Sequence, residues 1–381
     1  MKFAFLIFKY FPYGGVQRDM LRIARDCAAK GHQVTIYTGR WRGDPPGENI
    51  EVVLLRSFGV FNHQRHKSLI KAMFKKLDKN PVDLVVGFNR MPGLDAYYAA
   101  DPCFVEKARN DRGWWYRLTG RYRFFANSEK AVMRRQGACR ILLLTPGEKS
   151  VYQKWYGTPE SRFYTLPPSI PFDTFANLDH IKAREKICRE FDLPEQANIV
   201  LLVGSAFIRK GLDRAIYGLS SLQGPLKRNT WLIAVGEDKP EPMLALAKQL
   251  EISSRVIIAG ARADVHELMA GADLLVHPAR SELAGIVLIE ALTVGLPVLV
   301  TDVCGYATHV QASGAGKVLP SPFKQAGFDK ALAEMLASPL FNLWRESAKR
   351  YTANIAATTS STVEADLLES FVRDKQADRV L

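Results

Sequence analysis

Leu166-Pro167-Pro168-Ser169-Ile170-Pro171-Phe172-Asp173 interrupts a regular alternation of short apolar runs and helical patterns. Three of five consecutive residues there are proline. Proline supplies no amide donor and fixes φ, so neither a regular helix nor a central strand runs through. Upstream, apolar runs at 2–8, 33–38, 51–55, 82–87 and 140–145 read as strands. Val16, Met20, Ile23, Ala24 and Cys27 recur at helical spacing until Gly31 stops them, and 67–79 reads as another helix. Downstream the rhythm restarts. Strand runs at 199–204, 231–236, 255–259, 274–277 and 298–301 alternate with helical stretches at 212–221, 241–250, 264–270 and 284–294. Past about 325 only helical patterns remain. The rhythm implies two α/β doubly wound, Rossmann-like domains, each with a parallel sheet covered on both faces. Their expected limits are 1–168 and 169–350, with a helical segment 351–381 packing back on the first. Such sheets bind ligands beyond the carboxyl ends of their strands, here in a cleft between the domains.

The length of 381 residues suits two cores better than one. A chain 47% hydrophobic and 24% charged is neither collagenous nor disordered. Cys27, Cys103, Cys139, Cys188 and Cys304 are far apart and form no CxxC pair. That argues against a zinc site or a disulfide framework. The net charge is +13, and it is not evenly spread. Residues 1–168 hold 29 Lys+Arg and 14 Asp+Glu, a net of +15, whereas 169–381 hold 23 and 25, a net of −2. The apolar start is cut by Lys9 and has no small-residue cleavage site, so it reads as a buried strand rather than a signal peptide. The run 285–301 contains Glu290 and Pro297 and is too short to span a bilayer. A cytoplasmic protein is expected.

Three loops after strands carry chemistry. Gly204-Ser205-Ala206-Phe207-Ile208-Arg209-Lys210-Gly211 brings two adjacent cations, a fork and a point charge, suited to a diphosphate. Ser281-Glu282-Leu283-Ala284-Gly285-Ile286-Val287-Leu288-Ile289-Glu290-Ala291 opens a helix whose first amides can receive a phosphate. Glu290 sits among apolar residues, where a carboxylate needs donors such as a ribose diol. Tyr10-Phe11-Pro12-Tyr13-Gly14-Gly15-Val16-Gln17-Arg18-Asp19 offers a glycine pair that lets a backbone approach a ligand closely. Asp19 reads either as a helix-dipole partner in the first turn or as a cleft carboxylate.

The Gly14-Gly15 loop, the Arg209-Lys210 loop and the Glu282-x7-Glu290 pair, in this order, resemble family 4 glycosyltransferases of the GT-B fold. Lys9–Asp19, Gly87-Phe88-Asn89-Arg90-Met91-Pro92-Gly93-Leu94-Asp95 and Val303-Cys304-Gly305-Tyr306-Ala307 resemble its lipopolysaccharide-core glucosyltransferase branch more narrowly. The resemblance implies a retaining enzyme that moves glucose from UDP-glucose to an inner-core heptose. It implies diphosphate binding by Arg209 and Lys210, and ribose binding by Glu290. Glu282 with the amides of Ala284, Gly285 and Ile286 would contact sugar and phosphate, and Gly15 would lie against phosphate. Arg262 would lie near base or ribose, and Asp19 would face the acceptor. Ser169 replaces the family's usual Gly, and Thr174 replaces an Arg that can touch the donor.

Departure of UDP leaves charge that must be stabilised. Metal-dependent transferases commonly use a DxD pair, absent here, while Arg209, Lys210 and a helix start supply positive field. Metal-independent transfer with no cofactor is expected, by a front-face route in which the leaving phosphate oxygen acts as base.

Residues 105–140 hold ten cations and three acids, with Trp114-Trp115-Tyr116, Tyr122 and Phe124-Phe125 among them. Trp115, Leu118, Tyr122 and Phe125 can share one helical face. Interfacial docking on an anionic inner membrane and packing of these aromatics on the core are both open, and Arg65-His66-Lys67 with Lys71, Lys75 and Lys76 could extend the basic patch. Nucleic acid is disfavoured, because no reader motif is present. A noncatalytic sugar-nucleotide scaffold and a transferase for another hexose or N-acetylhexosamine are the alternatives.

Overall fold

The computed structural model describes residues 1–12, 14–168, 175, 178–360 and 362–377. Tyr13 and the hinge positions Ser169 and Thr174 lie outside them. Contacts divide the chain into two units, Met1–Pro167 with Ser361–Leu381, and Pro168–Ser360.

The first unit holds strands β1 (Lys2–Leu6), β2 (Gln33–Thr38), β3 (Ile50–Leu54), β4 (Leu84–Gly87), β5 (Ala96–Ala99), β6 (Arg140–Leu143) and β7 (Phe163–Thr165). All pair in parallel, in the order β3-β2-β1-β4-β5-β6-β7. β1 is buried from Phe3 to Leu6, as a strand covered on both faces must be. Helix α1 (Gly15–Ala29) buries Met20, Leu21, Ile23, Ala24 and Cys27 against the sheet. The predicted second helix is α2 (Asn62–Leu77).

The second unit holds β8 (Asn198–Val203), β9 (Thr230–Val235), β10 (Val256–Gly260), β11 (Leu274–His277), β12 (Val298–Thr301) and β13 (Gly316–Leu319). They too are parallel, ordered β10-β9-β8-β11-β12-β13. In both sheets the order reverses direction beside the first strand, between β1 and β4 and between β8 and β11. Those switch points are where a doubly wound sheet binds its ligand. The loops after β1, β8 and β11 are the three that the sequence singled out.

Three expectations change. Strands β5, β7 and β13 were not anticipated. The second unit extends to 360 rather than 350, because one helix, Phe341–Thr358, runs through that position and buries Ala348 and Thr352. The helix Val363–Ala377 alone returns to the first unit, burying Leu368 and Phe371 beside Phe3 and Phe5. Arg22 to Glu364 (2.6 Å) and Lys375 to Asp95 (2.7 Å) pin it there.

The third change is in 105–140. There is no continuous amphipathic helix. Helix α3 (Phe104–Asp111) is followed by a 3-10 turn, Trp114–Leu118, and then by α4 (Gly120–Met133). The Thr119 hydroxyl accepts the Tyr122 amide at 3.1 Å and starts α4 afresh, so the four-residue stripe is broken. Trp115 and Leu118 stay exposed, while Tyr122 and Phe125 are partly covered. No helix among the described residues is long and apolar enough to cross a membrane.

Candidate active site

In the second unit, the loops after β8 and β11 are bound to each other. Gly211 has φ +81°, and a Cβ there would stand 2.1 Å from the Pro278 carbonyl oxygen, so only glycine lets the two loops touch. The Arg280 amide donates to the Arg209 carbonyl at 2.8 Å. Arg280 also donates to the Ile208 carbonyl (2.6 Å) and pairs with Asp213 (2.7 Å). The Asp238 carboxylate accepts the Phe207 amide at 2.7 Å and fixes the start of the turn that carries both cations.

This clamp brings Arg209, Lys210 and Glu282 into one ion cluster. Arg209 Nη1 donates to Glu282 Oε2 at 2.8 Å and to the Ser281 carbonyl at 3.0 Å. Lys210 Nζ donates to the same Oε2. Burial pushes the Glu282 carboxyl up, but Lys210 and Arg209 outweigh it and hold it below the ordinary carboxylate range. Lys210 is itself buried, whereas Arg209 is nearly half exposed. The sequence placed the cations on a diphosphate and Glu282 on a sugar; the structure adds that the carboxylate already binds both cations.

The Glu282 loop is pinned from its other side. Glu282 bridges Cys304, the Gly305 amide donates to the Leu283 carbonyl (3.1 Å), and the Tyr306 amide to the Ala284 carbonyl (2.8 Å). That is the structural work of the Val303–Ala307 motif. Gly285, at φ +83°, turns the chain into the helix Ile286–Thr293; its carbonyl accepts the Leu288 amide at 2.9 Å, and the Ile286 and Val287 amides precede any acceptor within the helix. Glu290 is on that helix and is only half-buried, between the buried Ile289 and Ala291.

His277 closes the apolar run 274–277. It ends β11, is fully buried, and neither ring nitrogen has a hydrogen-bond partner among the described residues. Its Nε2 is 3.9 Å from Glu282 Oε2. Burial, reinforced by Lys210, lowers its pKa to about 3. A neutral imidazole therefore brings one free donor and one free acceptor to the ion cluster. The only sequence signal was a histidine closing an apolar strand at a loop.

Arg262 is not part of this cluster. Its guanidinium donates to both oxygens of Asp264, each at 2.8 Å, and pairs with Glu190. Those bonds engage four of its five N–H donors, so a base or ribose could share the guanidinium only through the second N–H of Nη1.

In the first unit, the Gly14-Gly15 loop precedes α1. A Cβ on Gly14 would meet Gln17 Oε1 at 1.9 Å, but one on Gly15 would meet nothing within 4 Å. Gly15 thus leaves open space at the end of β1. Asp19 is the fifth residue of α1, beyond its first turn, so the dipole role lapses. The Tyr98 hydroxyl donates to Asp19 Oδ2 at 2.9 Å and ties α1 to β5. Burial pushes this carboxyl up, against Tyr98 and Arg22.

The Gly87–Asp95 motif serves the basic segment. Asn89 Oδ1 accepts the Phe8 amide (2.8 Å), and Arg90 pairs with the fully buried Glu129 at 3.0 Å. Glu129 also accepts the amides of Phe104 (2.6 Å) and Val105 (3.1 Å) and the Tyr156 hydroxyl (2.7 Å). One of the three acids of 105–140 is therefore hidden under the surface. Trp114, Trp115 and Leu118 stand 71%, 60% and 62% exposed.

Residues 13–174 match the sequence profile "Glycosyltransferase Family 4", and residues 183–357 match "Glycosyl transferases group 1". The chain is 44% identical over 349 residues to the lipopolysaccharide glucosyltransferase WaaG of Escherichia coli K12, spanning 91% of this chain and 93% of that protein. This chain is a family 4 glycosyltransferase. The crystal structure of WaaG, "a glycosyltransferase involved in lipopolysaccharide biosynthesis", superposes with a TM-score of 0.89 at 42% identity, over 96% of this glycosyltransferase and 99% of that chain. Sucrose-phosphate synthase from Thermosynechococcus elongatus shares the fold, at 18% identity and a TM-score of 0.80. The architecture is GT-B.

Proposed function

We propose that this glycosyltransferase is a lipopolysaccharide-core glucosyltransferase that transfers glucose from UDP-glucose to an inner-core heptose with retention of configuration. The observation that carries the chemistry is the Arg209–Lys210–Glu282 cluster at the switch point of the second sheet. The likeness to WaaG carries the acceptor class.

In this reading the donor diphosphate takes over Arg209 and Lys210 from Glu282. The first amides of the Ile286–Thr293 helix reach the same phosphates, and Glu290 holds the ribose hydroxyls. Glu282, released, and neutral His277 face the glucose side of the leaving group. The C1–O bond to the phosphate breaks as the acceptor hydroxyl oxygen bonds to C1 on the same face. The hydroxyl proton passes to the departing phosphate oxygen, so no enzyme nucleophile is required. The two cations stabilise the charge that accumulates on UDP, a role that needs no divalent metal. Gly15 leaves the end of β1 open to a phosphate. Asp19, held by Tyr98, supports α1 and faces the acceptor only if that bond yields.

In the same reading the enzyme docks peripherally on the cytoplasmic face of the inner membrane through the basic segment 105–140. Its exposed Trp114, Trp115 and Leu118 suit the interface, and the cations suit anionic headgroups.

The decisive experiment offers heptose-terminated core lipopolysaccharide with UDP-glucose, UDP-galactose and UDP-N-acetylglucosamine, read by acceptor mass and with chelator present. A hexose gained from UDP-glucose alone supports the proposal. Gain from another donor, or loss of turnover on chelation, overturns the corresponding part.

A further inference from the structure

Beside the basic segment stands a second apolar projection that the readings above leave unused. Phe58, Val60 and Phe61 are 70%, 79% and 60% exposed. They are held out in water by a fixed turn. The Phe58 amide donates to Ser68 Oγ at 3.0 Å. The amides of Val60 and Phe61 both donate to Gln64 Oε1, at 3.0 and 3.1 Å, and Arg65 Nε donates to the Gly59 carbonyl at 2.8 Å. The first turn of α2 thus clamps the loop before it, and a clamped loop loses little freedom on binding.

Charge and position single out the occupant. Between Glu51 and Asp78 there is no acidic residue, but there are Arg56, Arg65, Lys67, Lys71, Lys75 and Lys76. Exposed apolar side chains inside an all-cationic stretch complement an anionic bilayer, with headgroups for the cations and acyl chains for the rings. The projection also lies close to the first patch. Helix α2 packs on α4. A Cβ on Gly120 would lie 3.3 Å from His63 Nε2, and the His66 ring lies 6.2 and 6.1 Å from those of Phe124 and Phe125. Gly120 lies two residues past the turn that exposes Trp114, Trp115 and Leu118.

We propose that the loop 56–61 is a second membrane-inserting wedge, so that the first unit docks on an anionic bilayer through two apolar prongs in one cationic field. This rests on the membrane docking proposed above and deepens it. A single prong lets the protein rock about its contact, whereas two joined prongs bind with a shared entropy cost and restrict that rocking.

The test uses the full chain and vesicles of phosphatidylglycerol with phosphatidylethanolamine, against phosphatidylcholine alone. Phe58→Ser/Val60→Ser/Phe61→Ser is expected to weaken co-sedimentation with anionic vesicles by about tenfold, with UDP binding and the thermal midpoint unchanged. The five native cysteines are all buried. Val60→Cys therefore takes an environment-sensitive dye selectively, which should shift to the blue and be quenched by brominated lipid. If wild type binds anionic vesicles but the triple variant binds equally well and the dye stays in water, the wedge is wrong and the first patch stands. If wild type itself shows no preference for anionic vesicles, the docking reading falls and takes the wedge with it.

Discussion

Asp19 and Glu282 are both acids close to the first strand of a doubly wound sheet, and their surroundings push them in opposite directions. Asp19 has burial and one phenol, and its carboxyl rises. Glu282 is also buried, yet Lys210 and Arg209 hold it low. The two sheets share a topology, 3-2-1-4 at the switch, so the backbone does not make the difference. Side chains on the loops do. The first unit offers an open gap at Gly15. The second offers concentrated, partly neutralised positive charge, which suits it to receive a diphosphate by exchanging one anion for another.

The contrast can be attacked at several points. Gly211→Ala forces a left-handed backbone on a residue with a Cβ and drives it into the Pro278 carbonyl. It should cost roughly 3 kcal/mol of stability in the second unit, read by urea unfolding. Lys210→Ala should lower kcat at saturating UDP-glucose by on the order of 100-fold, the usual cost of losing one aligned stabiliser of leaving charge. Near-full turnover in that variant would sink the leaving-group role.

The pH dependence tests His277. An unfolded imidazole titrates near 6.5, and the buried one near 3. The unfolded chain takes the proton first, so the stabilisation is complete above pH 6.5 and drains away as pH falls towards 3. Between pH 6.5 and 5 wild type should lose about 2 kcal/mol more than His277→Gln. Parallel urea midpoints for the two proteins across that range would show that the ring is not buried neutral.

A smaller effect is expected at the carboxylate. Glu282→Gln frees both cations from their internal anion and should tighten free UDP by about tenfold in calorimetry while turnover falls. Unchanged UDP affinity would mean that Glu282 does not compete for them. Smallest of all, Gly15→Ala should shift stability by less than about 0.5 kcal/mol, since a Cβ meets nothing there. Any loss of turnover in it then reports ligand approach.

The alternation of apolar runs and helices made both sheets legible, because parallel strands covered on two faces are apolar throughout. The loops after β8 and β11 were legible for the same reason, being anchored to strong strands. What escaped is local weakness or distant pairing. β5 is the four-residue Ala96–Ala99, and β7 has three residues, too short to display a period. The stripe through Trp115, Leu118, Tyr122 and Phe125 looked continuous because periodicity does not register a single capping threonine. Arg262 is bound by Glu190 and Arg209 by Glu282, 72 and 73 residues away in sequence. Only folding brings such partners together, and the same residue type was read as available in both cases.

The final helix has a consequence for how this protein comes into being. Leu368 and Phe371 belong to the same core as Phe3 and Phe5, so the first unit, begun before the second on the ribosome, is completed after it. Pro168–Ser360 is contiguous and has all its parts before the helix Val363–Ala377 is synthesised. A nascent chain, or one cut short before Val363, would carry a complete second unit beside a first unit with an open core. Folding of the first unit therefore depends on Val363–Ala377 as much as on β1.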